Sequence, residues 1–296
     1  MWVLYALTAA VFFAVVHLLD EYCIDEIFEK PWIGVITSAL ASLVVLIPLP
    51  FILPFVGWQW PTYSILLLAI SAGALIQVSQ LLYFNALANT NAGIVAAYWN
   101  IIPAILPILS YFIFGRIFTP NQYIGIVILI FASNLMLLSD HNLETRVSAF
   151  LCMIGASVLQ AISYLIQDSV YDQCSFIVGF TLMTSGIIMI GVFPLVFKRV
   201  RSTLGTRGGL LSSSIKLFVL IEITNLIALA FAQKSIKEGS PSLVAAVETT
   251  MPGFTFLIAL IVFSIFKIKY DTKIFMNIWK KYMALIVMII GVYLVS

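Results

Sequence analysis

The stretch 95-VAAYWNIIP-103 has a near copy in 244-VAAVETTMP-252; both open on Val-Ala-Ala and close on proline, at an offset of 149. Two further correspondences keep almost the same spacing: Asp20 matches Asp168 at 148, and Thr37-Ser38 matches Thr184-Ser185 at 147. Short matches at a nearly constant offset mark an internal repeat, and a repeat has to be recognised before any motif is weighed. The chain is therefore expected to be two copies of one plan.

Composition says where such a chain lives. Of its 296 residues, 62% are hydrophobic and 9% charged, a balance foreign to soluble domains and suited to a bilayer. A hydrocarbon core roughly 30 Å thick takes about 20 apolar residues per helix. On that ruler ten spans are expected, at 2–19, 32–56, 62–83, 92–114, 121–139, 147–166, 175–197, 214–232, 242–266 and 282–296. The connections near 198–213 and 267–281 are too short to bury a soluble core. The first span has neither a basic leader nor a small-residue cleavage site, so it reads as a retained helix. The net charge of +2 comes with no basic patch, so nucleic acid is not an expected partner. Cys23, Cys152 and Cys174 have no metal-type spacing and form no disulfide framework, so no metal or cofactor is expected.

The expected fold is thus an all-α membrane protein of ten transmembrane helices. Five spans fall in residues 1–140 and five in 146–296, and an odd number forces the second copy to enter the membrane from the opposite side. Transporters built from such inverted repeats hold their substrate near the midplane, between the halves, and expose it alternately to either side. In 270-YDTKIFMNIWKK-281, Ile274, Phe275, Ile278 and Trp279 share one helical face; this segment is either a short interfacial helix or an anchoring loop.

The stretch 83-YFNALANTNAGIVAAYWNIIPAILPILSYFIFGRIFTPNQYIGIVILIFASNLMLLS-139 resembles the second half of an EamA-type repeat of the drug/metabolite transporter superfamily. Such repeats carry an aromatic-rich helix end, a small-residue helix start, a mid-helix proline, a Gly-Glu-Arg-like turn and a glycine-containing final helix. Here the turn reads Phe114-Gly115-Arg116-Ile117, without the glutamate, and the second copy, Phe263-Ser264-Ile265-Phe266, lacks the signature. The resemblance implies both termini in the cytoplasm. The basic-residue rule points the other way: with the first span starting inside, the cytoplasmic loops hold only Arg116, Lys234 and Lys237 of the 15 Lys and Arg. Orientation stays open, with the charge count favouring termini outside.

Ionisable residues within spans usually face a cavity or a partner, because removing a charge from water is expensive. Glu222 and Glu248 stand inside spans, with His17, Asp20, Glu21 and Asp168 near span ends. At 1.5 Å per residue, Glu222 lies roughly 15 Å before the connection 233-QKSIKEGSP-241 and Glu248 roughly 10 Å after it. Both are expected at comparable depth, facing one cavity between the halves, as a coupling site or as the counter-charge of a cationic group. The alternative is that each hydrogen-bonds a neighbouring helix and never titrates. Thr249 and the Pro252 helix break beside Glu248, and Asn225 one turn after Glu222, strengthen the functional reading.

Pro103 and Pro252 remove backbone donors and leave carbonyls unpaired, which is tolerated where backbone lines a cavity. In the first copy Trp99 and Asn100 replace Glu248 and Thr249, so one wall is aromatic and amide, the other acidic and hydroxyl. With Tyr98 this suits an organic cation or a zwitterion, although Tyr98, Trp99 and Tyr164 read equally well as core or interfacial aromatics. Gln77 and Gln80, and with lower weight Gln160, either line a wet path or bond between helices. His17, Asp20 and Asp168 are candidates for a gate or proton entry, against the plainer reading of a solvated rim.

These features predict a secondary active transporter of a small organic metabolite, amino-acid-like, amine or other cationic or zwitterionic solute, proton-coupled or exchanging, working by alternating access. The chain has no phosphate-cradling Gly-x-x-x-x-Gly-Lys-Ser/Thr, no His-Glu-x-x-His and no Gly-x-Ser-x-Gly, so it is not read as an enzyme. A lipid-linked-sugar flippase is the alternative; an intramembrane enzyme using Glu222 and Glu248 has less in its favour. Expected partners are a small-molecule substrate and the lipid bilayer of the cell membrane, with a homodimer left open.

Overall fold

The computed structural model describes residues 1–27, 30–46, 51, 55, 58–90, 92–138, 147–206, 213–266 and 277–296. Among these there are helices and no strands. In order they are α1 (Trp2–Glu26), α2 (Pro31–Leu46), α3 (Tyr63–Leu87), α4 (Ala92–Trp99), α5 (Ile101–Phe114), α6 (Pro120–Leu138), α7 (Val147–Tyr171), α8 (Phe176–Val192), a 3-10 turn at Phe193–Val196, α9 (Lys198–Thr206), α10 (Ile215–Glu238), α11 (Pro241–Glu248), α12 (Met251–Phe266) and α13 (Ile278–Val295).

Nine segments among the described residues are long and apolar enough to cross a bilayer, the pairs α4–α5 and α11–α12 each counting as one; α2 holds a shorter apolar helix, Trp32–Leu43. The ten expected spans thus each meet a helix, with altered ends. The first extends beyond residue 19 to Glu26, and the last begins at Ile278 rather than 282. The second, expected over 32–56, is helical over Pro31–Leu46, and most of its remainder lies outside the described residues. The expected interfacial segment 270–281 falls outside them up to residue 276; Ile278–Lys281 form the first turn of α13.

The sequence punctuates these helices in recognisable ways. Gly115, at φ 65° and ψ 18°, closes α5, its N–H donating to the Tyr111 carbonyl at 2.9 Å while the Arg116 N–H reaches the Ser110 carbonyl at 3.3 Å. That left-handed residue is cheap only for glycine. At the start of α6 the Thr119 N–H donates to Gln122 Oε1 at 3.0 Å and the Gln122 N–H donates to Thr119 Oγ1 at 3.4 Å, a reciprocal capping box.

Between lipid-like surfaces the hydrophobic effect gives little drive, so helices associate through close packing and interhelical hydrogen bonds. Both devices are present. A Cβ on Gly73 of α3 would stand 1.9 Å from the Met183 carbonyl oxygen, and one on Gly186 of α8 would stand 2.2 Å from that of Ile70, so these two helices touch backbone to backbone. Along α3 and α7, Ser79 donates to the Ala156 carbonyl at 2.9 Å and Ser163 to that of Ala72 at 3.0 Å.

The pairing pattern is two-fold. The third span of the first half, α3, packs along the first span of the second half, α7, and conversely α10 packs along α1; the two fifth spans, α6 and α13, pack on each other. The broken fourth spans follow suit, α11–α12 against α1 and α4–α5 against α7. The broken helices are thereby held at the centre, where each half meets the other.

Candidate functional site

The broken helices explain why a site forms there. Pro103 has no N–H to offer the Trp99 carbonyl four residues back, and Pro252 none for Glu248. The chain answers with a tighter turn: the N–H groups of Asn100, Thr249 and Thr250 donate to the carbonyls three residues back, those of Ala97, Ala246 and Val247, at 3.2, 3.2 and 3.0 Å. The Thr249 and Thr250 hydroxyls also donate to the Ala246 and Val247 carbonyls, both at 2.7 Å. Helix ends therefore point into the interior rather than to the membrane surfaces.

Around these ends lies a cavity of about 190 Å³. Trp99, Asn100 and Pro103 line it from the first half, and Glu248, Thr249 and Pro252 from the second. His17 and Asp20 of α1, Gln80 of α3, Gln160 and Tyr164 of α7 and Asn225 of α10 complete the expected residues found there. Asp20 reaches the cavity because α1 continues past the expected end of its span.

Glu248 is held on one side only. The Tyr164 hydroxyl of α7 donates to its Oε2 at 2.6 Å, while its Oε1 is buried with no hydrogen-bond partner among the described residues. Among the described residues no lysine or arginine lines the cavity; the charged residues there are Asp20 and Glu248, joined by His17, whose Nδ1 and the Tyr83 hydroxyl are 2.8 Å apart. Asn100 is tied into its own half, its amide donating to Ser133 Oγ at 3.0 Å and Asn134 Oδ1 at 2.9 Å.

Four expected residues stand elsewhere. Glu222, 3% exposed, accepts from the Ser38 hydroxyl at 2.7 Å and the Ser42 hydroxyl at 2.6 Å, both on α2. It lines a separate cavity of about 40 Å³ shared with Asp20 and Asn225. The expectation of one hollow holding both glutamates is corrected: comparable depth fixed nothing about rotation, and α10 turns Glu222 toward α2. Gln77 is fully buried and donates to the Val35 carbonyl at 3.0 Å, a bond between helices. Tyr98 lies against Phe150 with ring centroids 5.2 Å apart, outside the cavity. Asp168 is ion-paired with Arg116 at 2.6 Å, joining the two halves on the face that carries the N-terminus.

Sequence reasoning missed Tyr83, Gln167 and Gln233. All three line the cavity, and Gln167 and Gln233 are each 1% exposed. A signal existed on α7, where Gln160, Tyr164, Gln167 and Tyr171 recur at helical spacing in an otherwise apolar span.

Over residues 1–138 the chain matches the family model of the EamA-like transporter family. The first half is EamA-like. The match covers less than half of the chain, so the likeness to that family is one of residues 1–138; the apolar helices make the protein a multi-pass membrane protein. A solved structure described as "Crystal structure of protein" superposes with a TM-score of 0.68, covering 100% of this chain and 96% of that one at 12% identity. At that identity the likeness is one of fold, and it extends over both halves. No curated protein matches the chain.

Proposed function

We propose that this EamA-like protein carries a small organic cation across the bilayer by alternating access, with Glu248 receiving the positive group. One observation carries the reading: Glu248 lines a cavity on which no lysine or arginine stands among the described residues, and its Oε1 is buried without a hydrogen-bond partner among them. An isolated carboxylate in such surroundings is costly, and a cation supplied by the substrate offsets the cost. The rings of Tyr83, Trp99 and Tyr164 on the same walls suit a cation, their faces being negative.

The Glu248 carboxylate pairs with one positive charge at a time. A proton and an organic cation therefore compete for Glu248, and release of one on binding of the other couples their movements in opposite directions. The moving parts are two repeats, residues 1–140 and 146–296, rocking about the cavity. In this arrangement the N-terminal face is latched by Arg116–Asp168, by the Ser110 and Ser242 hydroxyls 3.1 Å apart, and by the Ser235 hydroxyl donating to the Trp2 carbonyl at 2.7 Å. The repeat offset sets Asp20 opposite Asp168, and Ile265 where the first copy has Arg116. Among the described residues the ion-pair latch thus stands on one face, and Asp20, the counterpart of Asp168, lines the cavity.

A thermal-shift screen of organic amines on the purified protein tests the reading. Stabilisation by an amine should vanish in Glu248→Gln while the unliganded protein melts as before. Amine stabilisation that persists undiminished in that variant removes Glu248 from the site.

A further inference from the structure

Part of the cavity wall is built from neutral amides, Gln167 of α7 and Gln233 of α10. Gln167 Nε2 donates to Ser163 Oγ at 3.0 Å, and the Ser163 hydroxyl hydrogen is already committed to the Ala72 carbonyl. Ser163 can therefore only accept from Gln167, which fixes the amide with Oε1 as the remaining acceptor. Opposite, on α10, the Tyr171 hydroxyl donates to Gln233 Oε1, leaving Nε2 as a donor. Gln167 Oε1 and Gln233 Nε2 are both buried and without a hydrogen-bond partner among the described residues, on side chains 1% exposed that line the cavity. Orphaned polar atoms of this kind are rare, and each costs free energy until something satisfies it.

We infer that this part of the wall recognises an uncharged hydrogen-bonding group on the substrate, so that the transported solute is an amine bearing a neutral donor–acceptor tail, such as a carboxamide or hydroxyl, rather than an amino acid. The inference rests on the proposed role of Glu248 and adds a second point of recognition to it. An acceptor on Gln167 and a donor on Gln233 complement a group that both gives and takes a hydrogen bond. A carboxylate tail takes but does not give, and among the described residues it finds no lysine or arginine on the cavity wall to balance it. Spacing follows from α7: Tyr164, which holds Glu248, and Gln167 are three residues apart, about 4.5 Å along the helix axis. An amine and a carboxamide separated by three methylenes span that interval.

The probes are 4-aminobutanamide, butylamine and 4-aminobutanoate, titrated into purified wild-type protein and into Glu248→Gln, Gln167→Leu and Gln233→Leu. Two hydrogen bonds to otherwise unpaired buried groups should make the carboxamide bind about tenfold or more tighter than butylamine, with the zwitterion weakest. In Gln167→Leu and Gln233→Leu the preference for the carboxamide should fall toward one while butylamine binding persists, which also reports an intact fold. Should a leucine variant lose butylamine binding too, Gln167→Met and Gln233→Met, closer in shape and still without the amide, replace it, and the carboxamide-to-butylamine ratio is read there. A wild-type ratio near one, or a ratio unmoved by the glutamine variants, overturns the amide-wall assignment and leaves Glu248 standing. Failure of every amine to bind, or equal binding to Glu248→Gln, overturns the cation site itself and this inference with it.

Discussion

Asn100 and Thr249, 149 positions apart, share one backbone conformation: φ −64° and ψ −7° at each. Each ends a short helix of eight residues that enters from one membrane face, and a longer helix carrying an early proline follows. Side chains differ at these two positions while the backbone does not, so the repeat is preserved as a structural device and its chemistry has diverged. The first copy supplies an amide tied to Ser133 and Asn134; the second sets Glu248 beside its threonine with one oxygen unengaged.

The prolines are expected to trade stability for this device. Proline in a helix interior costs roughly 3 kcal/mol. Pro252→Ala restores an N–H for the Glu248 carbonyl, so it should raise the melting temperature and slow transport, as α11 and α12 tend toward one helix. Thermal unfolding in detergent and initial uptake rates check the two halves of this expectation together.

Tyr164→Phe removes the hydrogen bond that Glu248 Oε2 accepts. A hydrogen bond to a charged group contributes about 1.5–3 kcal/mol, so amine affinity should change by roughly tenfold or more. Unaltered affinity, measured by titration calorimetry on purified protein, tells against the one-sided grip on Glu248.

Arg116 and Asp168 should affect the conformational equilibrium more than stability. The guanidinium side is 36% exposed, and exposed ion pairs contribute about 1 kcal/mol at most. Arg116→Ala should leave the melting temperature nearly unchanged while opening the N-terminal face to a thiol reagent directed at a cysteine introduced at Gln233. The charge exchange Arg116→Asp with Asp168→Arg should restore protection. Equal labelling in all three backgrounds means the pair does not latch that face.

Gly186→Val sets a branched side chain against the Ile70 carbonyl at the α3–α8 crossing. Overpacking of this kind costs about 1–3 kcal/mol or more. Unfolding of the variant at lower temperature, with or without amine, is the expected outcome; wild-type stability would mean these helices part easily.

Much of this was legible in the sequence. The repeat offset and the two prolines located the helix breaks, and a 20-residue ruler found the spans, because both depend on distance along the chain. Rotation about a helix axis depends on neighbours far away in sequence, and there the reading ran out. Glu222 at the right depth faces Ser38 and Ser42 of α2 rather than the central cavity. Gln77 and Gln80 lie three residues apart, yet one bonds the Val35 carbonyl and the other lines the cavity. Gln167 and Gln233 went unnoticed because an amide inside a span looks the same whether it faces a neighbour or a hollow.

Counterflow in proteoliposomes tests the central role of Glu248 most directly. Vesicles loaded with unlabelled 4-aminobutanamide and diluted into a trace of labelled compound should accumulate the label transiently and saturably. Glu248→Gln, folded to the same melting temperature, should fail to do so. Accumulation at the wild-type rate in Glu248→Gln would contradict a carrier that holds its cation on this carboxylate.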